Sequence, residues 1–286
     1  MGNRMAVRII VDSGCDMVPE ISKRLGVEIL PIRTMFGAEE FLDCVNMSHE
    51  EFFEKLIESE QMPTTSQVPP YDYENKYEEV KKSGDSAVVI TISSKLSGCY
   101  QSANIAREDY EDCIHVVDSY NVCVGERILV ELAVRLRDEG KNAEEIVAVL
   151  EEQKKHIKLI ALLDTLEYLK RGGRISAAAA MAGSVLSIKP VIAIENGEVV
   201  VLGKARGSKN GNNMLKEMVK NTGGIRFELP FCLAYSGLSD SMLRKYIADS
   251  DELYDMPAEE LPKSSIGCAI GTHIGPGAIA VSYFAN

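Results

Sequence analysis

Val7-Arg8-Ile9-Ile10-Val11-Asp12-Ser13-Gly14 is an apolar, largely β-branched run that stops at an Asp-Ser-Gly turn. A short run of this kind, bounded by turn residues, predicts a buried strand. Outward from it the pattern alternates. Residues 19–25 predict a short helix closed by Gly26, and residues 27–32 a second strand. Ser48-His49-Glu50-Glu51 is a capping box opening a helix through about Glu58. Residues 87–92 predict a strand, 101–110 a helix, and 114–117 a strand ending at Asp118-Ser119. Two amphipathic helices follow at 124–139 and 143–155, the second capped by Asn142 with Glu145 at its third position. Such alternation builds a mostly parallel sheet covered by helices.

Beyond about residue 160 the pattern changes. Glu195-Asn196-Gly197-Glu198 separates apolar runs at 191–194 and 199–202, and Asn-Gly between two such runs is a strong hairpin signal. Residues 229–235, 266–270 and 279–283 predict further strands. The expected fold class is α/β with two subdomains. Residues 1–160 form an N-terminal, mostly parallel sheet with helices, and residues 161–286 a C-terminal α+β sandwich. A chain of 286 residues accommodates both and buries enough surface to need no disulfide or metal staple.

The formal charge is −12, from 31 basic and 43 acidic residues. That balance disfavours nucleic acid and anionic membrane surfaces. The longest uncharged stretches are 175–188, too short to span a bilayer, and 264–286, which is interrupted by four Gly and a Pro. No integral membrane insertion is expected. The first residues lack the apolar segment of a secretory signal. The seven Cys are scattered with no C-x-x-C pair, which predicts buried thiols in a reducing cytoplasm, with neither a disulfide framework nor a metal site. No cofactor is expected.

In parallel sheets, function gathers at the carboxyl ends of the strands. Here those ends are Asp12-Ser13, Ser93 to Gly98, and Asp118-Ser119, all rich in small hydroxyl residues. The Ser94, Ser97 and Gly98 stretch opens a helix, where free N–H groups favour an anion. Pro63-Thr64-Thr65-Ser66-Gln67 taken alone reads as a surface loop. Gly271-Thr272-His273-Ile274-Gly275-Pro276-Gly277 reads as a glycine-rich turn carrying one His. Arg171 and Arg174 flank a Gly pair, and Arg206 lies in a second basic cluster with Lys204 and Lys209, a candidate phosphate or partner patch. Residues 177–186 (AAAAMAGSVL) predict a buried helix whose small side chains leave room for a slender ligand. Ser97, His273 and Asp118 are a candidate hydrolytic triad by residue type alone; no G-x-S-x-G elbow and no Walker loop are present.

Six of these pieces carry a family resemblance: Val11-Asp12-Ser13, Thr65-Ser66-Gln67, Leu96-Ser97-Gly98-Cys99-Tyr100-Gln101-Ser102-Ala103, Gly172-Gly173-Arg174-Ile175, Lys189-Pro190, and Gly271 to Gly277. In this order and spacing the chain resembles the DegV family of bacterial fatty-acid-binding proteins. The resemblance implies two α/β subdomains with one long-chain fatty acid between them. It implies carboxylate contacts from Thr65 and Ser97 with His273 close by, supported by loops carrying Ser13, Ser66, Ser94 and Gly98. It also implies an ATP-dependent fatty-acid kinase as partner, which makes acyl phosphate for phospholipid synthesis, and no catalysis by this chain alone. Cys15 stands where the family often has Ser or Thr, Cys99 where it has Thr, and Val68-Pro69-Pro70 where Pro-Ser is usual. The alternatives are a Ser/His hydrolase or acyltransferase acting on a lipid ester, and a sensor of a small carboxylate.

Overall fold

The computed structural model describes residues 6–176 and 188–286. The helix expected at 177–186 lies outside the described residues. In chain order the strands are β1 (Val7–Asp12), β2 (Val27–Leu30), β3 (Arg33–Phe36), β4 (Glu39–Leu42), β5 (Thr64–Ser66), β6 (Ser86–Thr91), β7 (Ile114–Asp118), β8 (Ile157–Leu162), β9 (Ile188–Glu195), β10 (Glu198–Arg206), β11 (Cys232–Tyr235), β12 (Lys263–Ser265) and β13 (Ile279–Phe284). The helices are α1 (Pro19–Leu25), α2 (His49–Glu58), α3 (Pro70–Ser83), α4 (Cys99–Arg107), α5 (Val124–Asp138), α6 (Ala143–Gln153), α7 (Glu167–Arg171), α8 (Gly207–Asn221), α9 (Ser241–Asp249) and α10 (Cys268–Ile274).

Strands β2-β1-β6-β7 form one sheet, parallel throughout. Its β6 strand, Ser-Ala-Val-Val-Ile-Thr, is buried along its whole length, as a strand covered on both faces must be. A second sheet runs β10-β9-β8-β13-β11-β12 and is antiparallel except between β11 and β12. Its strands alternate with period two. Ile160 and Leu162 of β8 face a core shared with α8 and α9, while Leu159 and Ala161 face the core of the first sheet. The fold is therefore α/β, with a parallel sheet and a separate mixed sheet, each dressed by helices. A small antiparallel sheet, β4-β3-β5, sits beside them.

Three local expectations are corrected. The strand read at 27–32 ends at Leu30, and the chain crosses at Ile32 into β3 of the small sheet. Thr64–Ser66 is a strand paired with β3 rather than a loop. Residues 266–270 are not a strand: β12 ends at Ser265, and α10 takes in Gly271, Thr272 and His273, so the turn starts only at Gly275. Side chains far away in sequence start that helix. Asp16 accepts from the Gly267 N–H at 2.8 Å, and Asp43 accepts from the N–H groups of Cys268 and Ala269 at 3.2 and 3.4 Å.

The Asn-Gly hairpin between β9 and β10 forms as expected, and it has a second task. Asn196 and Gly197 both take positive φ, 51° and 83°, as the favoured two-residue hairpin turn requires. The Gly197 carbonyl then accepts a hydrogen bond from Ser93 Oγ at 2.8 Å, which ties the tip of the second sheet to the loop after β6. A Cβ on Gly197 would lie 2.5 Å from that same Oγ. Gly197→Ala should therefore cost about 1–2 kcal/mol for the left-handed backbone plus a clash with Ser93. Gly84→Ala is the control, since Gly84 has φ 72° with open space around it. Urea midpoints should show Gly197→Ala as the more damaging change; equal losses would mean the tip does not press on Ser93.

Candidate functional site

A cavity of about 470 Å³ lies between the two main sheets. Its walls come from side chains that the β-period turns inward: Leu159 and Ala161 of β8, Ile192 and Ile194 of β9, Val199 of β10 and Ala280 of β13. Ile92, Leu96 and Val122 close it from the ends of the parallel strands, and Ala269, Ile270 and Ile274 from α10. The size falls in the ~300–1,000 Å³ range of small-molecule sites.

Polar groups gather at one place, built from Thr65, Ser66, Gln67, Ser97, Arg174 and His273. Strand β5 brings Thr65 there, and α10 brings His273. Thr65 Oγ1 and His273 Nε2 lie 2.9 Å apart although 208 residues separate them. The other ring nitrogen, His273 Nδ1, is buried with no hydrogen-bond partner among the described residues. Gly172 makes room for this ring, because a Cβ there would stand 2.1 Å from Nδ1.

Ser97 and Gly98 stand at the start of α4. The Ser97 hydroxyl lies 3.3 Å from Cys99 Sγ and accepts weakly from the Cys99 N–H at 3.4 Å, at the positive end of the helix. Gln67 lies over Gly98, where a Cβ would sit 1.9 Å from its Oε1, and donates to Ser102 Oγ at 2.8 Å. That contact fastens β5 to α4, and so places Thr65 near Ser97. Gln67 was quoted in the sequence motif without a role, and only its flat packing on a glycine reveals one. Arg174 is half-buried at the same end, with Nε on the Leu96 carbonyl at 3.1 Å and Nη1 on the Gly172 carbonyl at 2.5 Å. No carboxylate lies among the described lining residues. The polar end thus offers hydroxyl and imidazole donors in the field of one cation, which suits an anionic head group.

The remaining candidates divide. Ser66 and Gly98 line the cavity. Ser94 is exposed and outside the lining; its neighbour Ser93 is the buried one and is spent on Gly197. Ser13 is also outside, its Oγ accepting from the Ile32 N–H at 3.0 Å. Arg171 is exposed and paired with Glu167 at 2.7 Å, and Arg206 is exposed at the end of β10; neither lines the cavity. The Ser97, His273 and Asp118 triad is not assembled. Asp118 accepts from the backbone N–H groups of Ser94 and Tyr120, Ser97 turns to Cys99, and His273 turns to Thr65.

A parallel and a mixed sheet with one largely apolar cavity between them define an α/β protein with an amphipathic pocket. The family model described as "Uncharacterised protein, DegV family" matches residues 6–286, and the chain belongs to the DegV family. A DegV domain-containing protein of Caldanaerobacter subterraneus is 33% identical over 280 residues, spanning 97% of this chain and 98% of its own. A solved DegV family protein from Thermus thermophilus, described by its fatty acid binding, superposes with a TM-score of 0.86 at 31% identity, covering 99% of this chain and 100% of that one. A fatty acid (stearic acid)-binding protein from Eubacterium ventriosum superposes with a TM-score of 0.85 at 25% identity, covering 96% and 97%. Among the described residues, no helix is long and apolar enough to cross a membrane.

Burial, helped by the charge of Arg174, lowers the His273 pKa to about 4, so the imidazole is neutral near pH 7. An unfolded chain protonates a histidine near pH ~6.5. Between that pH and about 4 the unfolded state holds the proton and the folded state does not. The stability linked to His273 is therefore full above pH ~6.5, falls as the pH drops, and levels off below the folded-state value. Asp12 acts in the opposite sense: burial raises it to about 7, so its stabilisation is present in acid and lost as the pH rises through that value. Comparison with His273→Gln isolates the histidine. Relative to the variant, wild type should lose about 3 kcal/mol on going from pH ~6.5 to ~4, read from urea midpoints. Parallel curves would show that the ring is not held neutral.

Proposed function

We propose that this protein carries one long-chain fatty acid, tail in the cavity and carboxylate at the Thr65, Ser97 and His273 end, and presents it to an ATP-dependent fatty-acid kinase. The observation that carries this reading is the cavity itself: apolar, with neutral donors and one cation but no carboxylate among its described lining residues. The fatty acid binding described for the Thermus and Eubacterium relatives supports it.

Affinity comes mainly from the tail, at ~0.8 kcal/mol per buried CH₂, or on the order of 10 kcal/mol before ordering costs. The head group sets direction. Ser97 has one O–H to give, and the Thr65–His273 pair, which already shares one hydrogen between Oγ1 and Nε2, has one more. Such donors hold a carboxylate while leaving its oxygens nucleophilic. Arg174 contributes its field, since two of its nitrogens already serve backbone carbonyls. On the kinase, a carboxylate oxygen forms a bond to the γ-phosphorus of ATP as the bond to ADP breaks, which yields acyl phosphate for phospholipid synthesis. Arg206, exposed and outside the cavity, is suited to the partner surface.

Native mass spectrometry of freshly purified protein should show one bound long-chain fatty acid per chain. Thr65→Ala and Ser97→Ala should each weaken binding roughly ten- to a hundredfold, the loss of one hydrogen bond to a charged group. A fatty-acid methyl ester should bind wild type much more weakly than the free acid. Equal binding of ester and acid, or wild-type affinity in both variants, would show that these residues do not hold a carboxylate. Turnover of a chromogenic ester that disappears in Ser97→Ala would favour the hydrolase instead.

In a kinase-coupled assay, Arg206→Glu should slow acyl-phosphate formation while fatty-acid titration stays as in wild type. Equal loss of both would assign Arg206 to the fold or the ligand, and unchanged transfer would remove it from the partner surface.

A further inference from the structure

Away from the cavity, a group of metal-type donors closes around the start of α10. Asp43 and Cys44 lie in the loop after β4, and His49 is the first residue of α2. His49 Nε2 is 3.0 Å from Cys44 Sγ and 4.0 Å from Asp43 Oδ1, and one ligand atom from each residue lies within 4.8 Å of the others. A tetrahedral zinc ion with bonds of ~2.0–2.3 Å spaces its ligand atoms ~3.3–3.8 Å apart. The three atoms need only small adjustments to meet that spacing.

Two further observations point the same way. His49 Nδ1 lies 2.7 Å from Ser265 Oγ. With that hydroxyl accepting a hydrogen bond from Nδ1–H, the Nε2 lone pair is turned toward Cys44 and Asp43, as it is in metal-bound histidines held by an outer hydrogen bond. Around the same point buried acidic and thiol groups converge. His49 Nε2, Asp16 Oδ1 and Asp43 Oδ1 all lie 2.7–3.1 Å from where a Gly267 Cβ would be. Asp16 and Asp43 are each only 1% exposed, and Asp16 Oδ2 has no hydrogen-bond partner among the described residues. Cys268 adds a second buried thiol beside the Asp43 carboxylate. Burial pushes the Cys44 and Cys268 thiols up, and burial pushes His49 down toward its neutral form.

We propose that Asp43, Cys44 and His49 bind a thiophilic divalent cation of the Zn²⁺ class, with the fourth position open toward Cys268 and Asp16. Binding exchanges the Cys44 thiol proton, released to solvent, for a thiolate–metal bond. One dication offsets the negative charge of the Asp43 carboxylate and the Cys44 thiolate. The ion would join the β4–α2 loop to the start of α10, the helix that carries His273 into the cavity five residues later. Its role is to hold that helix in place.

The test uses the full chain, stripped with a chelator and titrated with Zn²⁺ alone. Wild type should take up one Zn²⁺ per chain, melt at a higher temperature with it, and show a thiolate-to-metal charge-transfer band with Co²⁺. Cys44→Gly removes the thiol at a position whose φ of 59° suits glycine, so its backbone should be kept. It should weaken Zn²⁺ binding at least about tenfold and lose the Co²⁺ band, and His49→Gln should weaken binding similarly. Cys113→Ser, whose thiol neighbours Asp112 and Lys81 instead, should bind like wild type. Wild type that takes up no stoichiometric Zn²⁺, shows no Co²⁺ band, or binds no more tightly than Cys44→Gly would overturn the proposal.

Discussion

Helix α5 is the constraint on which both halves of the molecule depend. It packs against β1 and β6 of the parallel sheet and against β8, β11 and β13 of the mixed sheet. Eleven of its 15 residues are buried, so it has almost no solvent face and fills the core between the two main sheets. Even its polar residues go inside. Arg127 is paired with Glu131 at 2.9 Å. Glu126 is fully buried with neither carboxyl oxygen bonded among the described residues; burial, and then the nearby Asp12, Asp16 and Asp118, push its pKa well up. A carboxyl in that position stays protonated, because an unpaired buried charge costs several kcal/mol. The two residues before α5, Val122 and Cys123, line the cavity. The helix that fixes the spacing of the sheets thus also sets one wall of the space between them.

That arrangement separates two tasks. The sheets supply apolar walls, whose contribution scales with buried area and demands little geometry. The polar end demands geometry, and it is assembled from contacts that tolerate no extra atoms: Gln67 flat on Gly98, His273 against Gly172, and Ser93 against Gly197. Each glycine is needed because another side chain occupies the place of its Cβ. On the proposed reading neutral donors aim a head group without neutralising it, while Arg174, the one cation among the described lining residues, is anchored to the Leu96 and Gly172 carbonyls.

The parts of the fold legible in sequence are those set by local pattern. Strands β1, β6 and β7, the capped helices α2 and α6, and the Asn196-Gly197 hairpin follow from periodicity, capping residues and turn chemistry. What escaped depends on distant partners. Residues 266–270 look like a strand because nothing nearby in sequence announces that Asp16 and Asp43 will start a helix there. Thr64–Ser66 is polar enough to read as a loop, and only pairing with β3 makes it a strand. In the serine-rich turn after β6, the sequence does not separate Ser93, which is buried and structural, from Ser97 at the cavity. The family resemblance, not the residue pattern, joined Thr65 to His273, and the structure brings them to 2.9 Å. Paired cysteines are absent from the sequence, and the donors Asp43, Cys44 and His49 meet only through a loop turn and a helix start.

The central claim is that a carboxylate rests among neutral donors at the polar end of the cavity. The most direct measurement is NMR of a long-chain fatty acid carrying ¹³C at its carboxyl carbon, added to lipid-stripped protein. The account predicts one bound carboxyl resonance per chain, distinct from that of free acid and moved by Thr65→Ala, Ser97→Ala and His273→Gln. A bound resonance that none of these substitutions moves would place the head group elsewhere and contradict the account.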